Sequence, residues 1–135
     1  MDNARDAGDR IDAEGGSVLD IIAGIIDIRY GDLWRILSVS PHASEIKGMS
    51  FHLCTPLMVE MAITFQAEVE TRITRLVAEG RLKLKGAFTA AQLVQMLTDS
   101  ARGVNQVYPL APLENLSTQY RETCKAILYG YAEDL

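Results

Sequence analysis

The stretch from Thr55 to Gly80, TPLMVEMAITFQAEVETRITRLVAEG, constrains this chain more than any other. Leu57, Met61, Phe65, Val69 and Ile73 recur every four residues, and Leu76 and Val77 come next. That spacing draws one continuous stripe down a helix. Thr55 is placed to cap the first turn, and Pro56 to occupy the first helical position, where a missing N–H costs nothing. Gly80 supplies the left-handed stop. Met58, Val59, Ala62 and Ile63 make the first half apolar nearly all round, which predicts burial on several sides. The second half is one-sided, with Glu68, Glu70, Arg72, Arg75 and Glu79 opposite the stripe. The helix is expected to start inside a core and finish on a surface.

The rest of the chain arranges itself around that helix. Residues 1–16 hold four aspartates, a glutamate and two arginines, which predicts a disordered or frayed acidic lead-in ended by Gly15 and Gly16. Residues 17–135 then form one domain. Ser17 with Asp20 resembles a capping box, opening a helix to about Val39 through Ile21, Ile22, Ile25, Ile26 and Ile28. Gly31 is a candidate bend. Asp20, Gly24, Asp27 and Gly31 share a small or polar face. Solvent or a closely packed backbone can lie against it, and aspartate's avoidance of apolar packing favours solvent. Ser40-Pro41 starts a shorter helix from His42 to about Leu53. The junction at Thr55-Pro56 is a break or a kink.

After Gly80, Arg81-Leu82-Lys83-Leu84-Lys85 alternates as a strand would, but a lone strand has no partner. A short extended connector pinned by Leu82 and Leu84 is expected. Thr89 and Gln92 form a second capping box, opening a helix over 90–106 with the stripe Leu93, Met96, Leu97, Ala101 and Val104. Val107 to Pro112 breaks the helical pattern. A last helix over 113–131 carries Leu113, Leu116, Tyr120, Cys124, Ile127 and Tyr131 at spacings of three and four. With no strand pair and no repeat, the fold class is all-α.

Composition removes several functions. Apolar residues make up 48% and charged residues 23%, which suits a globular domain. A net charge of −5 argues against a domain built to grip phosphates. The basic cluster Arg72, Arg75, Arg81, Lys83 and Lys85 therefore reads as a charged helix end and loop rather than a nucleic-acid surface. Cys54 and Cys124 read as buried free thiols. His52 and Cys54 are badly spaced for one metal, so no metal and no cofactor are expected. No nucleophile, base and orienting acid converge, so no enzyme is expected. Neither a leader nor a membrane span is legible, which makes the cytoplasm the default.

One constellation points toward binding. Trp34, Met49, Phe51, His52, Met58, Met61 and Phe65 fall on the early helices and the apolar half of the long one. Large flexible and aromatic side chains with a few polar tips can line a cavity between helices. The same set also makes an ordinary packed core, which is the simpler reading of the pattern alone.

The order of these pieces is similar to the C-terminal half of tetracycline-repressor family regulators. The similarity is carried by Ser40-Pro41-His42, the long helix ending Leu76-Val77-Ala78-Glu79-Gly80, Arg81-Leu82-Lys83-Leu84, a capped helix reaching Ala101-Arg102-Gly103, and a final helix. It spans about Ser17 to Tyr131. The resemblance implies an all-helical domain that binds a small, often apolar effector. It puts that cavity among Trp34, Met49, His52, Met61 and Phe65. It implies a homodimer whose last two helices pair with their copies as a four-helix bundle, through Leu93, Met96, Leu97, Ala101, Leu116, Tyr120, Cys124, Ile127 and Tyr131. The family's helix-turn-helix reader has no counterpart here, so no direct DNA binding by this chain alone is expected. The alternative is a helical homodimeric scaffold with a filled core and no effector.

Overall fold

Ser17 starts the first core helix as the sequence suggests. Its hydroxyl accepts from the Asp20 backbone N–H at 3.1 Å, and the Asp20 carboxylate accepts from the Ser17 N–H at 3.0 Å. The computed structural model describes residues 2–32, 34–35, 55–106 and 112–135. The elements are α1 (Asp2–Ala13), α2 (Val18–Ile26), a π-helical turn (Asp27–Gly31), α3 (Thr55–Ala78), β1 (Lys83–Leu84), α4 (Ala90–Asn105), a 3-10 turn (Leu113–Asn115), α5 (Leu116–Tyr131) and β2 (Ala132–Glu133). The fold is all-α. The expected helix from His42 to Leu53 lies outside the described residues. Among those described, no helix is long and apolar enough to cross a membrane.

The core gathers around α2. Ile21, Ile22 and Ile26 meet Phe65, Val69, Ile73 and Leu76 of α3, Leu93, Leu97 and Ala101 of α4, and Leu116, Tyr120 and Leu128 of α5 in one apolar cluster. β-branched residues are poor helix formers, but full burial of each isoleucine returns roughly 1.5–3 kcal/mol, which outweighs a propensity cost of a few tenths. Thr98 is a buried polar exception and is satisfied twice. Its hydroxyl accepts from Gln66 Nε2 at 2.8 Å and donates to the Val94 carbonyl at 3.1 Å, which pins α3 to α4.

Three expectations are corrected. The acidic lead-in is a docked helix, α1. Ala4, Ala7, Gly8 and Ile11 share one face and lie on α2, while the charged residues face outward. The face works because it is small. A Cβ on Gly24 would stand 2.3 Å from Ile11 Cδ1, and one on Gly8 would stand 2.8 Å from Ile25 Cδ1. The Asp20–Gly31 face is therefore one of close approach at Gly24, and its acids are paired rather than merely solvated. Asp20 meets Arg121 at 2.8 Å, and Asp27 meets Arg35 at 2.6 Å.

The second correction concerns α3. Its buried stripe begins at Phe65 and continues through Val69, Arg72, Ile73 and Leu76. The apolar first half faces outward instead. Ile63 is 62% exposed, Leu57 55% and Met61 40%. Hydropathy states which residues favour burial, not whether a neighbour is there to bury them.

The third correction concerns the seams of α4 and α5. Leu93, Leu97, Ala101, Tyr120 and Cys124 are 0% exposed within a single chain, and Leu116 is buried with them. Side chains without exposed surface in one subunit have none to offer a second. Ile127 and Tyr131 pack partly against the same core, and only Met96 of the expected interface set faces solvent substantially. The connector after Gly80 is extended, as expected, and does find a partner. Lys83 and Leu84 pair antiparallel with Glu133 and Ala132, beyond the last helix.

Candidate functional site

The π turn at Asp27–Gly31 sets the local geometry. Ile22, Ile25 and Ile26 point inward on α2, and helical spacing carries that stripe on to Arg29 and Tyr30. A π turn adds a residue to the ring and re-aims the side chains after it, and such turns recur at functional sites. The Tyr30 ring within this turn lies in the core, edge-on to Phe65 with centroids 5.8 Å apart. Burial pushes the Tyr30 phenol above its ordinary range. Asn105 at the end of α4 locks the turn by donating from Nδ2 to the Tyr30 carbonyl at 3.1 Å. Tyr120 of α5 donates its hydroxyl to Asn105 Oδ1. Desolvation raises the Tyr120 phenol to about 12, so it remains a donor at all ordinary pH.

Arg29 lies against the same rings. Its Cζ is 5.3 Å from the Tyr30 centroid and 5.4 Å from that of Phe65. Arg35, further along the chain, is tied down instead. It donates to Asp27 at 2.6 Å, to Asp32 at 3.1 Å and to Ser117 at 2.9 Å, and Ser117 donates to Asp27 at 2.9 Å. The Asp27 partner raises the Arg35 guanidinium above its usual range.

Two open clefts flank this centre. One, about 250 Å³, lies between α1 and α3 and is lined by Arg5, Asp9, Ile25, Phe65, Glu68 and Arg72 among others. Arg72 is buried there, donates to Asp9 Oδ1 at 2.7 Å and reaches the Arg5 carbonyl at 3.4 Å. Its hydrogen bond holds the Asp9 carboxyl below its ordinary value. The other cleft, about 530 Å³, is bounded by Ile11, Gly24, Asp20, Asp27, Ser117 and Arg121. The Ser17 N–H and Arg121 together hold Asp20 low. Both clefts are walled by ion pairs that satisfy each other, so neither presents an apolar cage.

Of the expected cavity residues, the structure brings Phe65 and Trp34 to the core, Phe65 fully buried and Trp34 half-buried against it. Met61 stands one turn before Phe65 and faces out. Met49 and His52 lie outside the described residues. Sequence reasoning misses Arg29 and Tyr30. A signal for them exists: an arginine falling three and four residues after Ile26 and Ile25 sits on a stripe that should be apolar. Cys124 is buried, and desolvation raises its thiol to about 12, which leaves it inert as a nucleophile. Among the described residues no group of three histidine, cysteine or acidic side chains is arranged to hold a metal. Neither family models, nor curated proteins, nor solved structures give a match to this chain.

Proposed function

We propose that this chain is the effector-binding and dimerisation domain of a regulator of the tetracycline-repressor type, and that these helices recognise a small apolar molecule rather than DNA. One observation carries the reading. Met58 and Met61 are exposed and lie on the side of α3 that carries Phe65, with Leu57 beside them, and Phe65 meets Tyr30 at the core edge. Exposed apolar surface continuous with a core edge is the kind of wall a small guest covers. The order of helices adds support, since α3, the extended connector, the capped α4 and α5 keep the family's sequence of parts. Effector binding would act by favouring one arrangement of α3 against α2 and α4.

Pairing between copies falls to the outer faces of α4 and α5. Met96 is 44% exposed and Tyr129 48%, and Gly103 and Gly130 leave open space beside them. A Met96→Glu variant should weaken such pairing, read as a shift toward monomer by sedimentation at micromolar concentration. A wild-type chain that sediments as a monomer at that concentration contradicts the dimer.

The ligand part is tested by thermal shift and native mass spectrometry against a panel of apolar metabolites. A mass adduct with a raised melting temperature is expected, and loss of both in Met61→Glu locates the site. The second reading is a helical scaffold with a filled core and no effector. The ion-paired walls of the two described clefts favour the absence of an effector, and a panel with no adduct and no shift would select it.

A further inference from the structure

A charged side chain inside an apolar setting normally finds a carboxylate, a carbonyl or water. Arg29 departs from that rule. Its Nε is buried and has no hydrogen-bond partner, and among the described residues no acid pairs with its guanidinium. The Tyr30 and Phe65 rings lie beside it, and aromatic faces attract a guanidinium but do not fill its N–H groups. The neighbouring arginines differ: Arg35 is held by Asp27, Asp32 and Ser117, and Arg72 by Asp9. Arg29 as a residue is only half-buried, so its Nη atoms, beyond the buried Nε, are the part reachable from outside.

The surroundings of the fork identify its partner. Phe65, Met61 and Met58 lie on one side of α3 at spacings of four and three, and the two methionines are exposed. From Phe65 to Met58 that stripe runs about 10 Å, at a rise of ~1.5 Å per residue. An open guanidinium edge at one end and a methionine strip at the other match a molecule with an anionic planar head and an unbranched apolar body. A carboxylate takes the fork through two parallel N–H···O bonds, and methionine adapts to a flexible chain.

We propose that the effector is an apolar carboxylic acid, its carboxylate bound by Arg29 and its body laid along the exposed Met61 and Met58, outside the buried Phe65 ring. The proposal rests on the effector-binding reading above and adds the chemical class of the guest.

Decanoate and decanol are the probes, titrated by calorimetry into the full chain with Trp34 fluorescence as a second readout. The acid is expected to bind at least tenfold more tightly than the alcohol at pH 7. Arg29→Gln should remove that preference while leaving decanol affinity within twofold, and Met61→Glu should weaken both. In the wild type, the Arg29 Nη–H resonances should move downfield with decanoate and stay in place with decanol, which tests the contact even where Arg29→Gln does not fold. Equal affinity for acid and alcohol overturns the Arg29 anchor but leaves an apolar site standing. A full preference retained in Arg29→Gln also overturns it. Binding of neither probe overturns the proposal, and failure of the whole metabolite panel is the result that removes the effector reading with it.

Discussion

Replacing Leu97 with alanine separates a seam that closes one subunit from a seam that joins two. Leu97 is 0% exposed in a single chain and belongs to the same cluster as Ile21, Ile22, Leu93 and Tyr120. Truncation to alanine removes the transfer free energy of the lost carbons and leaves a cavity that rigid neighbours fill poorly, together about 3 kcal/mol. For a domain of this size that corresponds to a fall in melting temperature of about 10 °C. The assay is urea unfolding followed by helical circular dichroism, at two protein concentrations a hundredfold apart. If Leu97 is interior to one subunit, the loss is the same at both. If Leu97 lay between subunits, the native state would be favoured by mass action, worth about 2.7 kcal/mol over that range, and the variant would shed that dependence. A loss below about 1 kcal/mol, or a loss that changes with concentration, would refute the inward packing of α4.

Three shorter predictions accompany it. The Arg72 hydrogen bond holds the Asp9 carboxyl low, so that contact stabilises the fold above the free value of 3.8 and is lost as pH falls through the lower folded value. Wild type and Asp9→Asn should therefore differ in urea midpoint near neutrality and converge in acid; parallel pH curves would contradict the pairing. Cys124 should resist a thiol reagent in the native chain and react only at the rate of unfolding, whereas rapid modification would mean that the α4–α5 core opens readily. Gly24→Val should lift α1 from α2, because even its Cβ would stand 2.3 Å from Ile11 Cδ1. Protease cutting within residues 2–13 reports the release, and unchanged resistance would show that Ile11 can move aside.

Strong periodicity and strong caps are the parts of this fold legible in the sequence. Ser17 with Asp20 and Thr89 with Gln92 form the boxes their spacing predicts, and α3 and α4 begin and end close to the expected residues. α1 is illegible because its docking face is made of Ala4, Ala7 and Gly8, which carry little hydropathy and act by leaving room for isoleucine side chains across the contact. The outward turn of Leu57 to Ile63 is illegible for a different reason. Helical spacing gives a residue's direction around its own axis, but not which side of that axis other elements occupy. The same gap explains the seams of α4 and α5, whose apolar stripes are equally good for a neighbour in the same chain or in another. At the candidate site, residue type alone points to Phe65 and Trp34. Arg29 hides because a lone charge ordinarily belongs to a solvated face, and only its register with Ile25 and Ile26 says otherwise.

The two-residue ladder between Lys83–Leu84 and Ala132–Glu133 has a mechanical consequence. It fastens the end of the chain to its middle, so α4 and α5 belong to a loop whose two ends touch. The Lys85 N–H bonds the Tyr131 carbonyl at 2.8 Å and its ammonium the Tyr129 carbonyl at 2.9 Å, which lengthens the clasp on one side. Ala132 of the ladder is itself buried in the apolar cluster and Leu84 packs against it, so a pull at Leu135 is passed through the clasp straight to the interior.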